Sequence, residues 1–149
     1  MLAPSGRADN HAGQYVCFYI DKGRYGIILD EVVRIIRYEG ITEVPKASPF
    51  VEGVINLRGE VIPVINVREK FGLPREVISK KNRIIVISHK EKNYGLLVDN
   101  VRGIHEVAEE MLTDKADSIF SVNHEYITGI ANLKEGLLVL VDIGKIISC

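Results

Sequence analysis

The sequence predicts an all-β fold of two small five-stranded barrels packed together, with only stub helices. Three observations carry that expectation. Short Val- and Ile-rich runs alternate with turn residues about every 8 to 12 positions, the rhythm of small barrels and sandwiches. The stretch from Phe50 to Asn66 holds two apolar runs of strand length around a polar break, Arg58-Gly59-Glu60, and reads as a β-hairpin with Arg58 at its tip. Finally, two segments are echoed in the same order. Gly53 to Asn66 aligns with Gly129 to Asp142 without a gap, and Tyr25 to Val32 aligns with Tyr94 to Val101. Two copies of one β unit account for both echoes.

Residues 1–13 are polar and Gly/Pro-rich and are expected to be a disordered tail. The apolar run from Gln14 to Ile20 is a first strand, Asp21 to Arg24 a turn, and Tyr25 to Leu29 the returning strand. Val32 to Ile36 reads as a third strand, with a helical turn around Asp30 to Val33 as the alternative. Pro45 and Pro49 make their segment a loop. In the central hairpin Pro63 lacks a ladder donor and so predicts an edge or a bulge. Val67 to Phe71 fits one or two helical turns, ended by Gly72 and Pro74. Arg75 to Asn82 is polar and reads as a linker between approximate subdomains 14–75 and 82–149, and exchange of strands between these is left open. In the second half Ile84 to Ile87, Tyr94 to Val98 and Val101 to Val107 are strands. The stretch from Glu109 to Asn123 suggests a short helix and a loop. The second hairpin follows, and Ile143 to Ile147 is a closing helix.

The 149 residues suit one compact domain or two small subdomains sharing a core. A net charge of −1 gives no overall field to attract nucleic acid or an anionic membrane. No apolar stretch reaches the roughly 18 residues of a bilayer span, and no signal-peptide core follows the start. The expected compartment is the cytoplasm. Cys17 lies in a strand-like run and is expected to be a small buried side chain, and a disulfide to the terminal Cys149 is disfavoured.

Catalytic patterns are not found. His11, His89, His105 and His124 have no neighbour at metal-ligand spacing. No phosphate-binding loop, nucleophile elbow or Cys/His pairing is present. The carboxylates Asp30-Glu31 and Glu109-Glu110 are adjacent and therefore point apart. No metal, cofactor or catalytic residue is assigned. The basic patch Lys80-Lys81-Arg83 raises nucleic-acid binding, but it is short and lacks interleaved aromatics, so a solvated surface is the better reading.

The Phe50 to Gly59 stretch, with its Asn-Leu-Arg-Gly core and the Pro-containing return strand Val61 to Asn66, resembles the signature of the CheW family of bacterial chemotaxis coupling proteins. The resemblance runs from about Gln14 to Ile147 and takes in the segments at Tyr25, Tyr94 and Val98. It implies two intertwined SH3-like β-barrels, no catalysis, and an adaptor that bridges the regulatory domain of the histidine kinase CheA to the cytoplasmic tips of chemoreceptors in membrane-bound arrays. The same coupling role in a related pathway such as type IV pilus motility is an alternative, and a small-barrel nucleic-acid binder is a more distant one. Carried over from the family, the receptor-binding groove between the barrels takes in Val32, Gly53, Asn56, Leu57, Arg58, Gly95, Val101 and Ile104. The kinase surface falls on Val16 and Leu29 at the exposed end of the first barrel. Taken alone, Arg58 reads as a solvated charge, and for Val32, Val101 and Ile104 core and groove wall stay open alternatives.

Overall fold

The computed structural model describes residues 12–45, 49–113 and 124–148; of the expected tail at residues 1–13, residues 1–11 lie outside them and Gly13 opens the first strand. Eleven strands run through the described residues. They are β1 (Gly13–Ile20), β2 (Gly23–Ile28), β3 (Val32–Arg37), β4 (Val51–Leu57), β5 (Glu60–Asn66), β6 (Arg83–His89), β7 (Lys92–Val98), β8 (Asn100–Val107), β9 (Leu112–Thr113), β10 (Ile127–Leu133) and β11 (Gly136–Val141). The helices are stubs, α1 (Val67–Lys70) and α2 (Ile143–Ile147). Each begins where a side-chain oxygen replaces a missing backbone partner: Asn66 accepts from the Glu69 amide, and Asp142 accepts from the Lys145 amide. These two caps occupy the same position in the repeat.

The strands form two sheets. One has the order β8-β1-β2-β11-β10-β9 and the other β3-β6-β7-β5-β4. Neither sheet is made from one half of the chain. The β1–β2 hairpin joins the C-terminal strands, and the β6–β7 hairpin joins β3, β4 and β5, so the repeats have traded their first hairpins. The chain crosses between sheets twice at equivalent points, from β2 to β3 and from β7 to β8. Parallel pairing stitches each borrowed hairpin in place, Val64 opposite Gly95 in one sheet and Leu140 opposite Gly26 in the other. Each sheet also curls toward closure. After β3 the chain returns so that Thr42 exchanges two backbone hydrogen bonds of 2.8 Å with Val54, and after β8 it returns as β9 against β10.

Alternate residues of the same strand serve different cores, because successive side chains of a strand point to opposite faces. Tyr15 and Cys17 pack inside the first sheet with Val107, Ala131, Leu138 and Leu140. Ile84 and Val86 pack inside the second with Ile55, Ile62, Val64 and Leu97. The residues between them, Val16 and Phe18 on β1 and Ile85 and Ile87 on β6, join the largest core, which lies between the sheets. Its aromatic centre is a chain of Phe18, Tyr25, Phe71 and Tyr126 with neighbouring ring centroids 5.1 to 5.8 Å apart.

One local expectation needs revision. Pro63 stands inside the sheet, between β4 and β7, and not at an edge or a bulge. It costs no ladder bond there. Val54 spends both backbone groups on Thr42, so Val54 and Pro63 face each other without a hydrogen bond, and the β5–β7 ladder begins only at Val64. At the first crossover the strand and helix readings are both met, since a 3₁₀ turn at Leu29–Glu31 runs directly into β3.

Candidate functional site

The β4–β5 turn is built from its own sequence. Arg58 has φ +55° and Gly59 φ +86°, the two successive left-handed residues that match a two-residue turn to the twist of its strands. Gly59 takes this conformation freely, and Arg58 takes it against the preference of a residue with a Cβ. The exposed Asn56 braces the turn, its Oδ1 accepting from the Gly59 amide at 2.9 Å. Leu57 is half-buried and packs on the core of the second sheet, while Arg58 is exposed beyond it. The turn therefore presents a guanidinium on a braced support.

Gly53 and Gly95 are buried, and the close approach they allow is internal. A Cβ on Gly53 would lie 2.5 Å from the Thr42 carbonyl oxygen, and one on Gly95 would lie 2.8 Å from Ile84 Cγ2. Their part in the site is to shape the sheet that carries the Arg58 turn. Val32 and Val101 are half-buried at the rim of the inter-sheet core, each just after one of the two crossovers. Ile104, three residues beyond Val101, is 55% exposed. The structure thus places Val32 and Val101 at the rim of the inter-sheet core, one at each crossover, and brings Asn56, Leu57 and Arg58 to one hairpin end.

The assignment of Val16 to an exposed barrel end is corrected. Val16 is only 1% exposed and lies in the inter-sheet core, because the strand that holds it is buried on both faces. Leu29 is half-buried in the 3₁₀ turn at the rim of the same core. Residues that the sequence reading passed over stand out instead. Val33, Ile35, Val61 and Leu137 are large apolar side chains at least 40% exposed. Ile35 and Ile104 hold equivalent places in the two repeats, as do Val61 and Leu137. The repeat alignment is the signal that pairs them, although it says nothing of exposure.

Polar groups brace the base of the hairpin. Glu52 Oε1 accepts from Asn66 Nδ2 at 3.0 Å and from Arg75 Nη2 at 2.8 Å, and Arg75 also pairs with Glu69 at 3.2 Å. Burial first, and the Glu52 charge and hydrogen bond next, push the Tyr38 hydroxyl above its ordinary pKa. Two cavities sit at equivalent corners of the repeats, about 300 Å³ beside Arg68 and about 170 Å³ beside Gly144. Burial pushes the Cys17 thiol up to about 11, against a smaller opposing effect of Arg24. A thiol so protonated is a packing group and not a nucleophile. Among the described residues no group of three His, Cys, Asp or Glu side chains is placed to hold a metal ion, and no helix is long and apolar enough to cross a membrane.

Comparison with known proteins follows the same boundaries. The family model for the CheW-like domain matches residues 14–148. The chain is 35% identical over 136 residues to the chemotaxis protein CheW of Thermotoga maritima, covering 90% of this chain and 87% of that one. With the chemotaxis protein CheW of Klebsiella aerogenes it shares 30% identity over 135 residues, 91% of this chain and 81% of the relative. The protein PilI of Pseudomonas aeruginosa is more distant, 24% identical over 118 residues, 78% of this chain and 66% of its own. Among solved structures, the scaffolding protein TtCheW from Thermoanaerobacter tengcongensis superposes with a TM-score of 0.82 at 26% identity, covering 93% of this chain and 89% of that one. With the hairpin signature, the exchanged barrels and the family model agreeing over nearly its whole length, the chain belongs to the CheW-like domain family.

Proposed function

We propose that the chain is a non-enzymatic adaptor that couples the cytoplasmic tips of chemoreceptors to the histidine kinase CheA. One observation carries the reading most strongly: Arg58 is exposed at the tip of a braced hairpin, in a left-handed conformation that a glycine or asparagine would adopt more cheaply. A side chain kept in such a place is explained by something outside the chain that it holds. A planar guanidinium pairs bidentately with a carboxylate, and the half-buried valines at the crossovers, Val32 and Val101, suit contact with the apolar face of a receptor helix. The names of the relatives, chemotaxis protein CheW among them, and the description of the matching structure as a scaffolding protein support the same reading.

The kinase regulatory domain is assigned to the 3₁₀ turn at Leu29, without Val16. The working place of the protein is the cytoplasm, at membrane-bound receptor arrays. The test is co-sedimentation of purified CheA with receptor-bearing membranes. Addition of this protein is expected to carry the kinase into the pellet, and the Arg58→Ala variant is expected to carry far less. Equal kinase in the pellet with and without the protein would overturn the proposal.

A further inference from the structure

Arg68 is a buried cation, with 7% of its side chain exposed, and its bonds tie together segments distant in sequence. Nε donates to Asp99 Oδ1 at 3.1 Å, Nη2 to Asp21 Oδ1 at 3.1 Å, and Nη1 to the Pro74 carbonyl at 2.8 Å. Glu76 stands 3.4 Å from Nη2. The Asp21 amide closes the circuit by donating to Asp99 Oδ2 at 2.7 Å. In the fold, Asp21 is the left-handed residue of the β1–β2 turn in one sheet, and Arg68 is in the helix that follows β5 of the other. Asp99 is the residue between β7 and β8, at the second crossover.

The equivalent corner is built differently. Continuing the two repeat alignments, Gly144 stands for Arg68, Lys90 for Asp21 and Asp30 for Asp99. The permanent cation is gone, and a carboxylate is replaced by an ammonium. His89 and Glu31 meet there at 3.8 Å, and a Cβ on Gly144 would touch His89 Nε2 at 3.3 Å. Val101 begins two residues after the clamped Asp99, and Val32 begins two residues after the unclamped Asp30.

We infer that Arg68 is a positioning residue that fixes the β7–β8 crossover and with it the start of β8 at Val101, while the equivalent crossover before Val32 lacks such a clamp. A guanidinium suits this task because its fork serves several acceptors at once in fixed directions, which one ammonium cannot do. A partner that contacts both crossovers is then accommodated by movement at the first and not the second. The consequence for binding rests on the adaptor reading, but the unequal crossovers do not.

Native-state amide exchange on the free, full-length protein tests this, comparing wild type with Arg68→Lys. Wild-type amides at Asp21, Asp99 and Val101 are expected to exchange at least tenfold more slowly than Lys90, Asp30 and Val32. In Arg68→Lys that difference is expected to disappear while Ile85 and Leu96 in the inter-sheet core stay protected. Affinity for a receptor-tip fragment is expected to fall at least fivefold, with binding of the kinase regulatory domain within twofold of wild type. Equal protection of the two corners in wild type, or faster exchange at Ile85 and Leu96 matching that at Val101 in the variant, would overturn the inference. Should Arg68→Lys not fold, Asp21→Asn, whose carboxylate is half-exposed, provides the same comparison. An exchange difference without any fragment binding by wild type would uphold the clamp and overturn the adaptor reading.

Discussion

Gly53 and Gly95 lie in one row of the second sheet, on either side of Val64, which pairs with Gly53 on β4 and with Gly95 on β7. The first sheet repeats the row as Gly129, Leu140 and Gly26. Removing the glycine's freedom at Gly53 forces the backbone of residue 42 away, since its carbonyl oxygen is 2.5 Å from where a Cβ would sit. Gly53→Ala is expected to lose about 1–3 kcal/mol of stability, the range for overpacking a filled site. Urea unfolding measures it, and a loss under about 0.5 kcal/mol would mean that the Thr42–Val54 bridge does not close the sheet.

Arg58 carries the opposite expectation. Arg58→Gly relieves a left-handed residue of its Cβ at an exposed turn, so stability is expected to hold or to rise by up to about 1 kcal/mol. Receptor-fragment binding is expected to fall at least tenfold in the same variant. A protein that loses both stability and binding would make Arg58 a structural residue.

Leu57 lies next to Arg58 and works on the other face. Half-buried against Ile55, Ile62 and their neighbours, its truncation to Ala is expected to cost about 1–3 kcal/mol, below the full cost of a completely buried leucine. Thermal unfolding reads the loss, and an unchanged Tm would place the side chain in solvent.

How much of this was open to reading in the sequence depended on whether the physics was local. The hairpin turn at Arg58-Gly59 and the short helices after Asn66 and Asp142 follow from neighbouring residues, and so they show as motifs and as repeats, whereas the glycine rows join positions as distant as Gly53 and Gly95 and do not. The choice of sheet for the β1–β2 hairpin does not, because its apolar pattern suits either barrel equally. Val16 shows the cost of that. Tyr15, Val16, Cys17 and Phe18 are all apolar because the strand has a core on each face, and nothing in the run says that neither face is open. Arg68 was passed over for a related reason: its partners at positions 21 and 99 are distant in sequence, and they meet only because the crossovers bring them together.

The Cys17 thiol gives a pH-dependent expectation. Its folded pKa is about 11 against an ordinary value of 9.0, so above pH 9 the unfolded chain gives up the proton that the folded chain keeps. The unfolded state then binds fewer protons, and stability falls as pH rises from about 9 to 11. Cys17→Ser removes that part of the decline. In a Cys149→Ser background a thiol reagent at pH 8 is expected to react with Cys17 only as fast as the chain unfolds, and rapid labelling of that variant in the native state would contradict its burial.

The proposed coupling role requires that one chain offer two separate surfaces to two partners. Titration of the isotope-labelled protein with a receptor-tip fragment, and separately with the kinase regulatory domain, following backbone amide shifts, tests it most directly. Two non-overlapping sets of shifts are expected, one centred on Arg58, Val32 and Val101 and the other on the side of Leu29. A single shared set, or no shifts with either partner, would contradict it.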